Sequence, residues 1–466
     1  MYLGIRRAVL SSLRTYRTTQ RRFPTRVSAF KPNVNPRFYS AATPSSPVTP
    51  IEDLLLKNVQ VTGPMSFATY MQFCLSHPTE GYYMKKSNAV FGPKGDFITS
   101  PDISQVFGEL IAIWFLSQWQ VAGAPSKIRL VELGPGRAAL MADVLRVISQ
   151  LTKPLKTEVE VHLVETSSSM CAIQEAKLGE QGWDIQWHDS LDSISPSSEA
   201  YTMLVAHEFF DALPFHVLKR TEEGWHEVLI ASNTPTSPSE GETTTTAPSE
   251  PEAQAPSSES PTSTTASPRF NHVLTPAPTP ISTVLGNSSP RFRSLPIDSF
   301  LEVSPVSFKI AYKIAELLSV RERNGAQGGC GLIIDYGGDT FFDNSRRAFK
   351  EHEIVDFFHR PGECDLTANV DFAYLREAMR ALVPVYKPLS QGHFLQAMGL
   401  KERLFKLLEK NRGDPEKAKR IEEAALRLVS PSGMGSQYSV MGFSSNGGDV
   451  YPFPPDDVKE DVKTEV

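Results

Sequence analysis

The sequence predicts an α/β fold: a doubly wound, Rossmann-like parallel sheet with helices on both faces. Two observations carry this. First, short apolar runs at residues 128–133, 159–165, 202–206 and 332–335 alternate with stretches of helical spacing. Strands that are apolar throughout, rather than on every second residue, belong to parallel sheets buried on both faces. Second, Val131-Glu132-Leu133-Gly134-Pro135-Gly136-Arg137-Ala138-Ala139 ends one strand and opens a helix, the join at which such folds bind a ligand.

The elements follow in order. Ser66 can cap a helix to Leu75, stopped by His77-Pro78. A Gly-rich, Lys-containing loop covers residues 85–99. Ser100 as N-cap, Pro101 in the first position and Asp102 in the first turn open one helix expected to run to Trp119. After the first strand, residues 138–148 place Leu140, Val144 and Val147 on one helix face. The second strand ends at Glu165, the third at Trp187-His188-Asp189-Ser190, and the fourth at Ala206-His207. A helix over residues 307–318 precedes the strand at residues 332–335.

Three segments stand apart from this core. Residues 1–51 contain no Asp or Glu, and nine Lys and Arg fall within residues 1–39. An Arg-rich, Ser-rich, acid-free start has the composition of a mitochondrial transit peptide. Arg37-Phe38-Tyr39 before Ser40 resembles a matrix-protease cleavage site, so residues 1–39 are expected to be removed and the mature protein to lie in the matrix. That takes the formal net charge from −6 to −15 and argues against nucleic acid as a partner. Residues 232–268 hold nine Ser, nine Thr and seven Pro, with no aromatic residue, Lys or Arg. Such a segment cannot bury enough apolar surface to order itself and is expected to be a disordered insertion. It lies in a hairpin excursion after the fourth strand, whose flanks at residues 225–230 and 300–303 are expected to pair. Residues 446–466 are expected to form an acidic disordered tail. The resulting division is an N-terminal helical cap region at 40–125 and a catalytic domain at 126–231 and 269–445. No apolar run approaches the ~18 residues that span a bilayer, so no membrane insertion is expected. Cys74, Cys171, Cys330 and Cys364 are too scattered for a metal site.

The chemistry is expected at the strand ends. Gly134, Pro135, Gly136 and Arg137 let the backbone approach a ligand closely. The spacing of Gly134, Gly136 and Ala139 is compatible with a dinucleotide, so an oxidoreductase is one reading. Glu132 points instead to S-adenosylmethionine: a carboxylate there serves a cationic amino-acid ligand and repels a pyrophosphate. Glu165 is placed to accept the ribose hydroxyls, and Asp189 lies where the adenine edge would be. At the fourth strand end, His207-Glu208-Phe209-Phe210-Asp211 sets two acids about two aromatics. Carboxylates bind a guanidinium by paired hydrogen bonds and phenyl faces hold the planar cation; His207 could take the departing proton.

At these residues the chain resembles the MidA family, the mitochondrial complex I assembly-factor arginine methyltransferases. The resemblance covers most of residues 64–231 and 269–445. It is carried by Gly95-Asp96-Phe97-Ile98-Thr99-Ser100-Pro101, Ile103-Ser104-Gln105-Val106-Phe107-Gly108-Glu109-Leu110, the loop at residues 132–137 and His207-Glu208-Phe209-Phe210-Asp211. Glu302-Val303-Ser304-Pro305, Asp335-Tyr336-Gly337 and Asp365-Leu366-Thr367-Ala368-Asn369-Val370-Asp371-Phe372 complete it. The resemblance implies a class I S-adenosylmethionine-dependent methyltransferase fold. It also implies symmetric dimethylation of an arginine on the 49 kDa-type iron–sulfur-arm subunit of complex I, during that complex's assembly. Ala138 and Asn369 depart from the family pattern. The β-carbon of Ala138 is expected to narrow the room for the methionine moiety. A binding-only assembly chaperone on the same fold is the alternative.

Overall fold

The computed structural model of the chain describes residues 47–85, 99–152, 156–179, 182–233, 269–320 and 327–454. The segment expected to be a transit peptide and most of the Gly-rich loop lie outside them. The first helix, α1 (Pro50–Thr62), starts with a reciprocal capping box between Thr49 and Glu52. A short strand β1 (Met65–Ser66) leads into α2 (Phe67–Ser76), capped by Ser66 through the Thr69 N–H. The single helix expected over residues 100–119 is two, α3 (Ser100–Ile103) and α4 (Gln105–Val121). Ser104 is extended between them and its hydroxyl caps the Val106 N–H, so a residue suited to starting a helix interrupts the one before it.

The sheet then begins. Strand β2 (Lys127–Leu133), helix α5 (Ala139–Thr152), strand β3 (Glu158–Val164), helix α6 (Ser168–Leu178), β4 (Asp184–His188) and β5 (Tyr201–His207) follow in sequence. An antiparallel excursion comes next: β6 (His216–Thr221), β7 (Gly224–Ser232), β8 (Phe270–Leu274), two short helices α7 (Pro280–Gly286) and α8 (Pro290–Arg293), and β9 (Phe300–Val303). Helix α9 (Pro305–Leu318) returns the chain to the main sheet at β10 (Gly329–Gly338). A small sheet of β11 (Arg347–Lys350), β12 (Glu353–Val355) and β13 (Asp365–Thr367) is followed by β14 (Val370–Asp371) and α10 (Phe372–Met379). The chain closes with β15 (Leu389–Ser390), α11 (Gln391–Ala397), α12 (Leu400–Lys410), α13 (Pro415–Val429), α14 (Met434–Gln437) and β16 (Tyr438–Ser444).

The main sheet runs β15-β16-β10-β5-β2-β3-β4, with β14 beside β10. Strands β10, β5, β2, β3 and β4 are parallel, and β16 closes the edge antiparallel to β10. Every residue of β5 is buried, because its two faces meet two different cores. Met203 and Val205 pack with α4 and α5, whereas Leu204 and Ala206 pack with α9 and α10. This explains the continuous apolar runs in the sequence. The connections from β2 wind one way to β3 and β4, and the chain then crosses back to β5 and β10. The crevice at this reversal, outside the carboxyl ends of β2 and β5, is where doubly wound sheets bind ligands.

Four further expectations are corrected. Helix α4 belongs to the main sheet's helical layer, packed on α5, so the N-terminal region divides: only α1 and α2 pack against the antiparallel sheet. The flanks of the excursion do not pair with each other, because β6 lies between β7 and β9. Strand β7 reaches Ser232 and the Asn233 N–H donates to the Arg269 carbonyl at 2.8 Å, so pairing continues past the point where disorder was expected to begin. The remainder of that segment lies outside the described residues. Nor does the acidic tail start at Asn446. Val450 and Phe453 are buried, and the Trp114 indole donates to the Tyr451 carbonyl at 2.9 Å. Both buried residues join the core cluster that holds Trp114, whose ring meets Phe453 edge-on. Among the described residues no helix is long and apolar enough to cross a membrane.

Candidate active site

The crevice holds a cavity of about 480 Å³. All ten residues expected at the site line it: Glu132, Gly134, Pro135, Gly136, Arg137, Glu165, Asp189, His207, Glu208 and Asp211.

The glycine loop turns by left-handed residues, Gly134 at φ 63°, Gly136 at φ 50° and Ala138 at φ 55°. Gly134 also leaves room for Phe209, whose Cδ2 a Cβ would meet at 3.0 Å. Ala138 is fully buried and packs into the core between the sheet and α4–α5. Its methyl group is not part of the cavity lining, so the expected narrowing of the cavity does not arise. Glu132 is 3% exposed and its Oε2 has no hydrogen-bond partner. Burial pushes its carboxyl up to about 8, opposed by the charge of Lys177 and a backbone hydrogen bond from Met141.

Glu165 follows β3. Its Oε1 accepts from the Ser167 N–H at 2.8 Å and its Oε2 from Gln174 Nε2 at 3.1 Å. Burial raises its pKa, and those donors lower it. Asp189 follows β4 and lies exposed at the rim.

At the end of β5 the chain makes a strained turn. Glu208 has φ 50°, a conformation rare for a side chain of this size. Asp335, fully buried on β10, holds the turn: Phe209, Phe210 and Asp211 all donate their N–H groups to its Oδ2, at 3.2, 2.9 and 3.3 Å. Tyr438, at the start of β16, donates its hydroxyl to Glu208 Oε1 at 2.6 Å. Burial pushes Glu208 up to about 8 and Asp211 up to about 6, the latter opposed by the charge of Arg347. The Arg347 guanidinium lies 5.2 Å from the ring centre of Tyr336, which itself lines the cavity. His207 stacks on Tyr438 and meets Phe107 edge-on; burial pushes its imidazole down to about 3. The ring is therefore neutral and a weaker proton acceptor than Glu208, 3.6 Å away.

Sequence reasoning missed Gln174, Asp335, Tyr438 and Arg347 as parts of this site. Asp335 and Tyr336 fall in a motif singled out for resemblance alone, and no local signal identifies the other three. Among the described residues no cluster of His, Cys, Asp and Glu could hold a metal. The cavity's donor set is dominated by carboxylates, and it includes a buried acid with an oxygen lacking a partner. That arrangement suits a ligand carrying an ammonium and a sulfonium and opposes a pyrophosphate.

Comparisons with known proteins agree. Residues 110–387 match a family described as S-adenosyl-L-methionine-dependent methyltransferases. The chain is 34% identical over 415 residues to the mitochondrial protein arginine methyltransferase NDUFAF7 of Rattus norvegicus, covering 84% of each chain. It is 32% identical to the human protein of that name, covering 84% of this chain and 83% of the other. To the Drosophila melanogaster homolog it is 35% identical, covering 82% of this chain and 81% of the other. A crystal structure of a superfamily member from Burkholderia thailandensis bound to S-adenosyl-homocysteine superposes with a TM-score of 0.66. Their identity is 20%, over 88% of this chain and 97% of that one, which establishes the shared fold.

Proposed function

The chain belongs to the S-adenosyl-L-methionine-dependent methyltransferase family, and from that premise we propose that it methylates arginine on a protein partner. The observation that carries this is the pair of acids, the half-buried Glu208 and the buried Asp211, set beside Phe209 and Tyr336 at the end of β5 in one cavity with the glycine loop. The relatives' names, protein arginine methyltransferase, support the same acceptor.

When bound, S-adenosyl-L-methionine supplies an electrophilic methyl group on a sulfonium. Glu132 would meet its ammonium, Glu165 its ribose and Asp189 the adenine edge, while Gly134, Pro135, Gly136 and Arg137 form the loop against it. The chain's own part is to position the acceptor nitrogen and take its proton. Glu208 receives the Tyr438 hydroxyl at Oε1, which leaves Oε2 for the guanidinium. A buried carboxylate with a pKa near 8 accepts a proton more readily than an exposed one. Asp211 adds a second negative charge at the edge of the same pocket, and His207 supports Glu208 as a neutral ring.

The finer reading is symmetric dimethylation of an arginine on the 49 kDa-type iron–sulfur-arm subunit of complex I, during its assembly in the mitochondrial matrix. The relatives' mitochondrial naming and the acid-free, Arg-rich residues 1–39 support the compartment. Intact-mass analysis of that subunit, isolated with and without this protein, tests the reading. A gain of two methyl groups dependent on this chain is expected, with fragmentation of the same ions placing both on one arginine. An unchanged mass, with assembly still dependent on the chain, would replace the enzyme by a binding-only chaperone.

A further inference from the structure

Gln174, on α6, is fully buried behind the lining of the crevice cavity, yet it touches three cofactor-side elements at once. Its Nε2 donates to the Gly136 carbonyl at 2.8 Å and to Glu165 Oε2 at 3.1 Å. Its Oε1 accepts from the Trp187 indole N–H on β4 at 2.9 Å. The amide can face only one way. An indole N–H is a donor alone, so the oxygen must point at Trp187, and both amide hydrogens then point at the two acceptors. Every polar atom of this side chain is satisfied, and each bond ends on a different segment of the crevice.

We infer that Gln174 is the positioning residue that sets the plane of the Glu165 carboxylate and so determines selectivity for an intact ribose. The inference rests on the assignment of Glu165 to the ribose hydroxyls. Each carboxylate oxygen has two lone-pair directions. Backbone N–H groups of Ser167 and Thr166 hold the carboxylate from the chain that follows it, and Gln174 is the one side chain that bonds it, at Oε2. Two adjacent hydroxyls can share the carboxylate only if its plane is fixed towards them, and the Gln174 bond fixes the side away from the backbone donors. Without Gln174, the carboxylate keeps its Ser167 bond at Oε1 but can rotate about it, and the Gly136 carbonyl loses its anchor. Glutamate cannot substitute, because its carboxylate would face both the Gly136 carbonyl oxygen and the Glu165 carboxylate.

The test compares S-adenosylhomocysteine with its 2′-deoxy analogue by calorimetry on the full chain, for wild type and for Gln174→Met, which keeps the length and removes the hydrogen bonds. Gln174→Met should weaken S-adenosylhomocysteine about 10- to 100-fold and the deoxy analogue only about threefold, so the preference for the intact ribose shrinks. In turnover, KM for S-adenosylmethionine should rise while kcat at saturation stays within about threefold. Equal weakening of both ligands would reduce Gln174 to a packing residue and overturn the inference, as would unchanged affinity for S-adenosylhomocysteine. Trp187→Phe serves if Gln174→Met does not fold: it removes only the N–H that orients the amide. It should lose about 3- to 10-fold for S-adenosylhomocysteine alone, and no change in a folded variant likewise overturns the inference. Glu165→Ala separates the two levels. If it leaves S-adenosylhomocysteine affinity unchanged, the ribose assignment itself fails; if it weakens binding while Gln174→Met does not, only the role of Gln174 fails.

Discussion

Glu132, the proposed partner of the cofactor's ammonium, should tie the cofactor's affinity to pH. Its carboxyl is pushed from 4.5 up to about 8 by burial, and its Oε2 has no partner. A bound ammonium stabilises the ionised form, so binding below pH 8 must first remove a proton. At about 1.36 kcal/mol per unit, that costs ~2.7 kcal/mol at pH 6, ~1.4 at pH 7 and ~0.4 at pH 8. Affinity for S-adenosylhomocysteine should therefore rise about 50-fold between pH 6 and pH 8. Glu132→Gln keeps the shape and removes the titration. Its affinity should be flat from pH 6 to pH 8, and at pH 8 weaker than wild type by ~1–2.5 kcal/mol. The ligand-free protein shows the opposite sign. An acid whose pKa is raised by folding contributes stability that is fully present below about 4.5 and is lost as pH rises through about 8, a trend Glu132→Gln should reduce. Isothermal titration calorimetry at three pH values measures the binding part. A wild-type affinity independent of pH, or a variant that tracks wild type, would refute the pairing of Glu132 with the cofactor's cation.

Other expectations follow from single contacts. Tyr438→Phe removes the hydroxyl that stabilises ionised Glu208, so the alkaline-side rise of kcat/KM should move to higher pH than in wild type; a pH–rate profile checks it. Gly134→Ala places a methyl group on a left-handed backbone and 3.0 Å from Phe209. It should destabilise the fold by ~1–3 kcal/mol in chemical denaturation and weaken cofactor binding in calorimetry. Deleting residues 234–268 and joining Asn233 to Arg269 by a short turn should leave melting temperature and activity nearly unchanged, because the two residues are already hydrogen-bonded at 2.8 Å and loop-closure entropy changes by only ~0.6 kcal/mol per doubling of length.

The fold was legible where the sequence has a period or a cap, and the acids at the strand ends were legible because the fold places them there. Glu132, Glu165 and Glu208 sit at or just beyond the carboxyl ends of β2, β3 and β5, and that placement follows from recognising the strands. The supports of the site were hidden for a different reason. Tyr438 reaches Glu208 across 230 positions and Asp335 reaches Phe210 across 125, so neither contact leaves a local pattern. Gln174 reads as one more polar residue on a helix until its burial is known. The break at Ser104 was missed because a serine inside an apolar helical run carries two meanings, interior residue and cap, and the tertiary packing of α3 selects the second. Val450 and Phe453 read as tail because the segment around them is rich in acids and prolines, whereas their packing against Trp114 is set by contacts across the chain.

Cofactor binding and methyl transfer are proposed to rest on separate acids in one cavity. Glu208→Gln and Glu165→Ala, measured side by side for S-adenosylhomocysteine affinity and for methyl transfer to the proposed substrate, the 49 kDa-type subunit, test this directly. Glu208→Gln should bind within a few-fold of wild type yet transfer methyl groups at least ~100-fold more slowly, as expected when a charge-positioning group is lost. Glu165→Ala should lose affinity by ~1.5–3 kcal/mol for each hydrogen bond removed. Wild-type transfer by Glu208→Gln would contradict the account and move the acceptor site from the end of β5 towards Asp365 on β13.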